Sequence, residues 1–583
     1  MFVVSLGLAL ALFHRDLSNL FNSQLGGAGD ADEYSWFLSW VPFALGHGLN
    51  PLVSTYVNYP SGINLMWNTS VLLPSFLMSP VTLVFGAAFS YNVLVTMAPV
   101  LSSTFAYMAF RRWTGRLPAL AGALIFGFSP YMVAQSIGHL AQTLIMSAPL
   151  MLVLFDRLLV VQAGSAWRDG LLLGLLGWAQ LLTGEEVLAM EVVTGAIALA
   201  VLCCISRKEI SSRSAYALRG SAAAAGLFAV LSSPFLAYQY LGPYKVQDVH
   251  PANAYVSDLL NFFVPTHATQ LAPAAALRVS AHFTGNGVEQ DAYIGVPLVL
   301  FIALALILAR RRPLTWVALA IGASAALLSM GPTLHVLGDV SHIKLPDYFL
   351  AKLPTFRNLL PDRFASMMAL GEALLVALGL DELKHFRPPA MVTGWALAAA
   401  GMAAIFPMVH FPANASPTLA EFTTGLACPP AGSRHPPGRP PVALVIPAVD
   451  ELDLRWQAES QYCFVMPAAT GMTGTSGGVL RRKGILLTLA RPKRPLPTLT
   501  PAVREESAQE IRALDIKEII VAPQSPAVPN WSWHQQAEAV AWVDRLVGEA
   551  PEQGPGVYPA YFWKALPSAG DIAAGTVPGG PAA

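Results

Sequence analysis

Charge is what this chain has least of. Only 12% of its 583 residues are Asp, Glu, Lys or Arg, while 54% are hydrophobic; a soluble protein carries about a quarter charged residues, so a soluble globular chain is excluded. Basic and acidic residues balance at 35 each, which leaves no basic surplus to meet nucleic-acid phosphates. Met1 to Phe13 is apolar but lacks a basic start and a clean cleavage site, so it does not read as a signal peptide. The histidines of the loop 242–292 (His250, His267, His282) fit no metal spacing. The last third shows no phosphate loop, metal spacing or triad signature. Cysteine is down to four: Cys203 and Cys204 fall in an apolar run and read as packing residues, while Cys428 and Cys463 could pair in an oxidising compartment.

What is abundant comes in blocks. Apolar runs able to cross roughly 30 Å of hydrocarbon lie near 1–13, 91–110, 118–133, 143–161, 169–184, 187–205, 216–238, 293–309, 314–330, 364–383 and 390–410. This predicts a polytopic α-helical membrane protein of about eleven spans. The block 71–89 is broken by Pro74 and Pro80 and reads as interfacial. Lys and Arg gather on the cytoplasmic side of membrane proteins, and leaving 71–89 in the interface puts Arg111, Arg112, Arg116, Arg168, Arg310, Arg311, Arg312, Lys384 and Arg387 together there. The amino terminus is then inside and the carboxy terminus outside. The transmembrane module spans 1–410, with a first outer loop 14–90 and a large outer loop 242–292. A Pro/Gly-rich linker covers 411–441. The segment 442–583 alternates strands (442–446, 462–466, 518–522, 557–563) with helices (501–514, 535–547), which predicts a small extracytoplasmic α/β domain.

With this topology the polar features collect on the outer side. Asp30, Asp32 and Glu33 follow the first apolar segment, three carboxylates within four residues. His139 follows an aromatic-Pro turn. Glu185 and Glu186 occupy a hairpin between spans, and Arg357 and Arg363 precede another. Acidic groups at a membrane boundary need water, a cation or a role.

The chain resembles the GT-C membrane glycosyltransferases, which use polyprenyl-phosphate-linked sugars. Their first outer loop carries an acidic motif, often Asp-x-Asp, which Asp30-Ala31-Asp32 matches in type and place. The runs GDADEYSWFLSWVPFALGHGLNPL, YPSGINLMWNTS, FGFSPYMVAQSIGHLAQ and LPTFRNLLPDRF are similar to those of uncharacterised bacterial multispanning proteins of this group, over about the first 380 residues. The resemblance implies transfer of a sugar from a polyprenyl-phosphate donor to a glycan, lipid or protein hydroxyl, at the outer face of a bacterial cytoplasmic membrane. Asp30 is then the base, with Asp32 its rival, and Glu33 orients a partner or an ion. A hydrated acidic turn is the plain alternative, and a divalent cation held through oxygen is another; no other cofactor is implied. His139, Glu185 and Glu186 would contact acceptor or phosphate, or simply face water. Arg357 and Arg363 have the fork that suits phosphate oxygens; for Arg363, lipid headgroups or a pair with Asp362 are the alternatives. Trp36, Tyr56, Tyr59 and Trp67 would stack on sugar or settle in the interface. A flippase of lipid-linked glycans, or a non-catalytic assembly subunit, stays open as a different class.

Overall fold

The computed structural model describes residues 1–14, 19–21, 23–27, 29–206, 214–244, 251, 253–353, 356–415, 440–447, 452–467, 484–489, 496–523, 531–554, 559–564 and 566–575. Cys428, His250, most of the expected linker 411–441 and the start of the expected strand 557–563 lie outside them. The chain divides into two compact units. The first comprises Met1–Ser18, Val93–Pro234 and His250–Phe411; the second comprises Asn19–Asn92, Phe235–Val249 and Pro412–Ala583.

Every expected apolar segment is helical. Among the described residues, six helices have the length and apolarity to cross a bilayer: Ala87–Phe110, Arg116–Gln135, Leu140–Val161, Glu185–Ile205, Ser214–Leu241 and Pro361–His385. The other expected segments form shorter apolar helices. Phe2–Leu12 has 11 residues and rises about 16 Å at 1.5 Å per residue. Val296–Ala309 is bounded by Gly295, at φ 82°, and Arg310. The doubtful block near 71–89 forms Leu72–Phe85, ended by Gly86 at φ 87°, and rises only about 21 Å.

In the first unit the helix Ala365–Glu382 is buried along nearly its whole length. Close approach makes this possible: a Cβ on Gly371 would stand 2.6 Å from Gly322 Cα, and one on Gly122 would stand 2.5 Å from Ala373 O. Small residues let membrane helices touch backbone to backbone, where dispersion can act. The buried helix has a polar group at each end. At one, Asp381 accepts from Arg312 Nη2 at 2.8 Å, Lys384 Nζ at 3.1 Å and Gly115 N at 2.9 Å. At the other, Arg363 opens the helix. The helix Ala365–Glu382, 18 residues long, rises about 27 Å, close to the thickness of a hydrocarbon core. The basic residues at 111–116 and 310–312 therefore belong to the end opposite Arg363.

Cys203 and Cys204 are free and exposed. They point away from the helix packing rather than into it, which corrects the packing role expected of them.

The second unit contains the helix Asp30–Gly46 and a strand pair, Ser23–Leu25 with Ala413–Ala415. Its four-stranded sheet runs in the order Val442–Ile446, Ile516–Val521, Tyr561–Trp563, Glu552–Gln553. The first pair is parallel and the other two are antiparallel. The helices Pro501–Leu514 and Trp533–Val547 flank it in sequence, capped by Thr500 and Ser532 side chains. The segment 462–466, expected as a strand, makes only an isolated bridge, Val442 with Val465. Its end pairs instead with the first outer loop: Met466 N donates to Tyr56 O at 2.8 Å and Tyr59 N to Met466 O at 3.0 Å. Cys463 is disulfide-bonded.

Candidate functional site

Two clusters of polar side chains hold most of the candidate residues, one in each unit.

In the second unit, Gly29 at φ 111° turns the chain into the helix Asp30–Gly46, a backbone region that glycine enters at least cost. Asp30, Asp32 and Glu33 fill the first turn, where the helix dipole favours negative charge. Asp32 is fully buried, and its Oδ1 lies 3.5 Å from Arg455 Nη1. Arg455 also donates to Gln24 Oε1 at 2.8 Å and, through Nε, to Glu459 Oε1 at 2.7 Å. Gln24 in turn donates to Ala31 O at 2.9 Å and to Ser35 Oγ. Burial pushes the Asp32 carboxyl up to about 7 against the opposing pull of Arg455 and the Gly29 amide, with Glu459 adding to the rise. Burial and the charge of Asp30 hold Glu33 well above the usual carboxylate range. Asp30 is half-exposed. Trp36 and Tyr56, expected on sugar or at the interface, are committed to packing. Trp36 stacks on Trp40 at 5.1 Å and donates to Gln457 Oε1 at 2.7 Å, and Tyr56 meets Tyr462 edge-on at 5.9 Å. Trp67 donates to Gln239 O at 2.8 Å.

In the first unit the network is centred on Arg363, in the turn Pro361–Phe364. Its Nη2 donates to Glu289 Oε1 at 2.9 Å and its Nε to the same oxygen at 3.3 Å. Its Nη1 donates to Glu186 Oε2. Glu186 also accepts from Gln142 Nε2 at 2.6 Å. Gln135 Nε2 reaches Glu289 Oε2 at 3.0 Å and Asp291 Oδ2 at 2.8 Å. His139 Nδ1 meets Gln135 Oε1 at 2.6 Å and stands 3.5 Å from Glu289 Oε1. Burial alone would raise the Glu289 carboxyl, but the charges of Arg363 and His139 outweigh it and leave the group below its ordinary value. Asp291 moves the other way, well up, from burial and the charge of Asp362.

The structure thus gathers His139, Glu186 and Arg363 as one group. Glu185 is half-buried beside Glu186, and Arg357 is exposed. The pair with Asp362, one of the alternatives for Arg363, is not the one formed: Arg363 pairs with Glu186 and Glu289, and Asp362 accepts from Ser257 Oγ. Sequence reasoning missed Glu289, Gln135, Gln142, Arg455 and Gln24. Gln135 stands one helical turn before His139, a spacing that places both on one face. Glu289 and Arg455 have no local signal. His267 and His282 are exposed, and no group of three His, Cys, Asp or Glu among the described residues is arranged to hold a metal ion.

The fold is similar to those of several solved structures. Among solved structures, the arabinofuranosyltransferase AftD from mycobacteria matches with a TM-score of 0.52 and 14% identity, over 97% of this chain and 40% of the longer enzyme. The Archaeoglobus fulgidus oligosaccharyltransferase in its apo form gives 0.46 at 12% identity, covering 89% of this chain and 69% of that one. ArnT from Cupriavidus metallidurans in the apo state gives 0.41 at 13%, covering 96% and 97%. Likeness at these identities concerns the fold. No curated protein sequence matches. Residues 2–400 match the family described as a domain of unknown function, DUF6311, and the chain belongs to that family.

Proposed function

We propose that the protein is an integral-membrane glycosyltransferase that moves a sugar from a polyprenyl-phosphate donor to a hydroxyl acceptor with inversion. It acts on the extracytoplasmic face of a bacterial cytoplasmic membrane, with the amino terminus inside and the C-terminal part outside. The observation that carries this reading is the head of the helix Asp30–Gly46. There a half-exposed Asp30 precedes a buried Asp32 whose carboxyl is matched to proton transfer near neutral pH.

Asp30 takes the acceptor hydroxyl proton as the acceptor oxygen attacks the anomeric carbon, with Asp32 its rival for that role. The bond from that carbon to the phosphate oxygen breaks, and the polyprenyl phosphate leaves as an anion. Arg363, with His139, Glu185, Glu186 and Arg357, is the group of the first unit assigned to substrate binding. Charge placed in advance where the transition state develops it accelerates many such reactions more than any other single effect. Glu33 orients the turn, and a divalent cation held by Asp30 and Asp32 is the variant that a chelator would reveal.

A transporter of lipid-linked glycans is the second reading. Glu191 and Glu372, buried within spans, are the kind of intramembrane charge such proteins use. Purified protein in lipid nanodiscs, given labelled polyprenyl-phospho-sugars with pentose donors first, separates the two. An enzyme releases polyprenyl phosphate and labels an acceptor, and at least one of Asp30→Asn and Asp32→Asn loses this without loss of protein. A transporter moves the lipid across the bilayer and leaves the sugar attached.

A further inference from the structure

We propose that Lys344 and Lys352, in the first unit, hold the headgroup phosphate of an anionic bilayer phospholipid at the membrane boundary. The proposal needs the membrane setting alone and stands apart from sugar transfer.

Both lysines follow the apolar helix Pro313–Ser329. That helix begins beside Arg312, whose Nη2 donates to Asp381 at 2.8 Å, and it rises about 26 Å. Ser329 therefore stands near the opposite limit of the hydrocarbon, at the Arg363 end of the bundle. Two strands then form a hairpin, Thr333–Val336 with Asp339–Lys344, in a register that sets Lys344 opposite Thr333. Leu345 N donates to Pro332 O at 3.0 Å. The base of the hairpin is thereby fixed where the chain leaves the apolar helix, and the short helix Asp347–Leu350 starts from that base.

Two features name the occupant. The first is charge. Lys344 Nζ and Lys352 Nζ stand 4.4 and 4.1 Å from the centre of the Tyr348 ring, and Lys344 Nζ donates to Tyr348 Oη at 3.3 Å. Two ammonium groups gathered on one ring repel each other, and neither has a carboxylate partner among the described residues. Of the acids between Thr333 and Leu353, Asp347 is turned into the protein, at 3% exposure, and Asp339 lies across from Val336 at the far end of the hairpin. Hydrogen bonds from Lys344 and Lys352, and then their charge, hold the Tyr348 phenol below its ordinary value, as uncompensated positive charge does to a neighbouring acid. An anion bridging the two ammonium groups relieves them.

The second feature is the border of the lysines. Ile343, Phe349 and Leu353 are 58%, 68% and 50% exposed. At the exit of a membrane helix such side chains meet acyl chains, while lysine stems run past them and keep the ammonium groups at headgroup level. A free phosphate would use the charges and leave the apolar border in water, whereas a bilayer lipid uses both. An exposed border sorts lipids by headgroup charge rather than by tail, so the abundant phospholipid takes the site by mass action. Two lysines favour an anionic leaflet over a neutral one by about 30-fold.

Hydrogen–deuterium exchange of the full chain tests the proposal, in nanodiscs of phosphatidylcholine and in nanodiscs that also contain phosphatidylglycerol. Peptides covering 339–353 should exchange more slowly with phosphatidylglycerol. Lys344→Gln combined with Lys352→Gln should lose that difference, and Lys344→Arg combined with Lys352→Arg should keep it. Equal protection of the buried helix Ala365–Glu382 in every chain reports that the variants are folded. Lys352→Gln alone serves with the same readout if the double variant disturbs folding. Equal exchange in the two kinds of disc, or a difference that survives in the folded glutamine variant, overturns the proposal. Slowing by inorganic phosphate or by polyprenyl phosphate, where phosphatidylglycerol gives none, also overturns it.

Discussion

Arg363 and Glu289 form a buried, two-pronged ion pair, with Nη2 and Nε both directed at Oε1. Glu289 is 1% exposed, so removing it takes one of two carboxylates from a guanidinium held in a medium that solvates charge poorly. Glu289→Ala should therefore lower stability by about 3–5 kcal/mol, the cost of breaking a buried pair from one side. Denaturant titration in a mild detergent measures this, with Arg357→Ala, at an exposed site, close to neutral.

The same pair sets an acid limit. Glu289 titrates below its ordinary 4.5 in the folded chain. Its stabilising contribution is thus complete above that value and is lost as pH falls through the lower, folded value. Glu289→Gln, measured against pH, should lose stability less steeply on acidification than the native chain.

Asp32 has the opposite sign. Its folded carboxyl keeps the proton up to about 7, whereas the unfolded one releases it near 3.8. Stability should fall as pH rises between those values. Asp32→Asn should flatten that slope and unfold later than the native chain at pH 8, as read by thermal melts at pH 5 and pH 8.

Arg455 is the main charge opposing the burial of Asp32. Arg455→Leu removes it and should push the carboxyl further up. Where Asp32 must ionise for transfer, the acid limb of the pH-rate profile then moves to higher pH; an unmoved limb assigns that limb to another group.

The contact of Gly371 with Gly322 leaves no room for a side chain. Gly371→Leu should abolish folded, monodisperse protein in size-exclusion chromatography, because relief would require two backbones to separate.

These relationships differ in how far the sequence discloses them. The helix Pro501–Leu514 falls where its cap, its Pro and its amphipathic spacing put it, since each signal is local. The apolar runs are all helical for the same reason. Their lengths are less legible, because a run of apolar residues does not reveal where a glycine at positive φ will stop the helix, as Gly86 does. Tyr462–Met466 has strand composition but lacks a neighbouring strand over its length, so it bridges at Val465 alone. Asp32 is legible as one of an acidic trio. Its guanidinium is not, because Arg455 lies 423 positions away and only the folded chain joins them. Glu289 escapes notice for a similar reason: in a loop of mixed polarity it is one acid among several until Arg363 meets it.

The central claim is sugar transfer with an acid of the first outer loop as base. Its most direct measurement is turnover of a labelled polyprenyl-phospho-sugar by the purified chain in nanodiscs, with native protein beside Asp30→Asn and Asp32→Asn. The account predicts labelled product and free polyprenyl phosphate from the native protein, and loss of both in at least one folded variant. Native rates in both variants would contradict it.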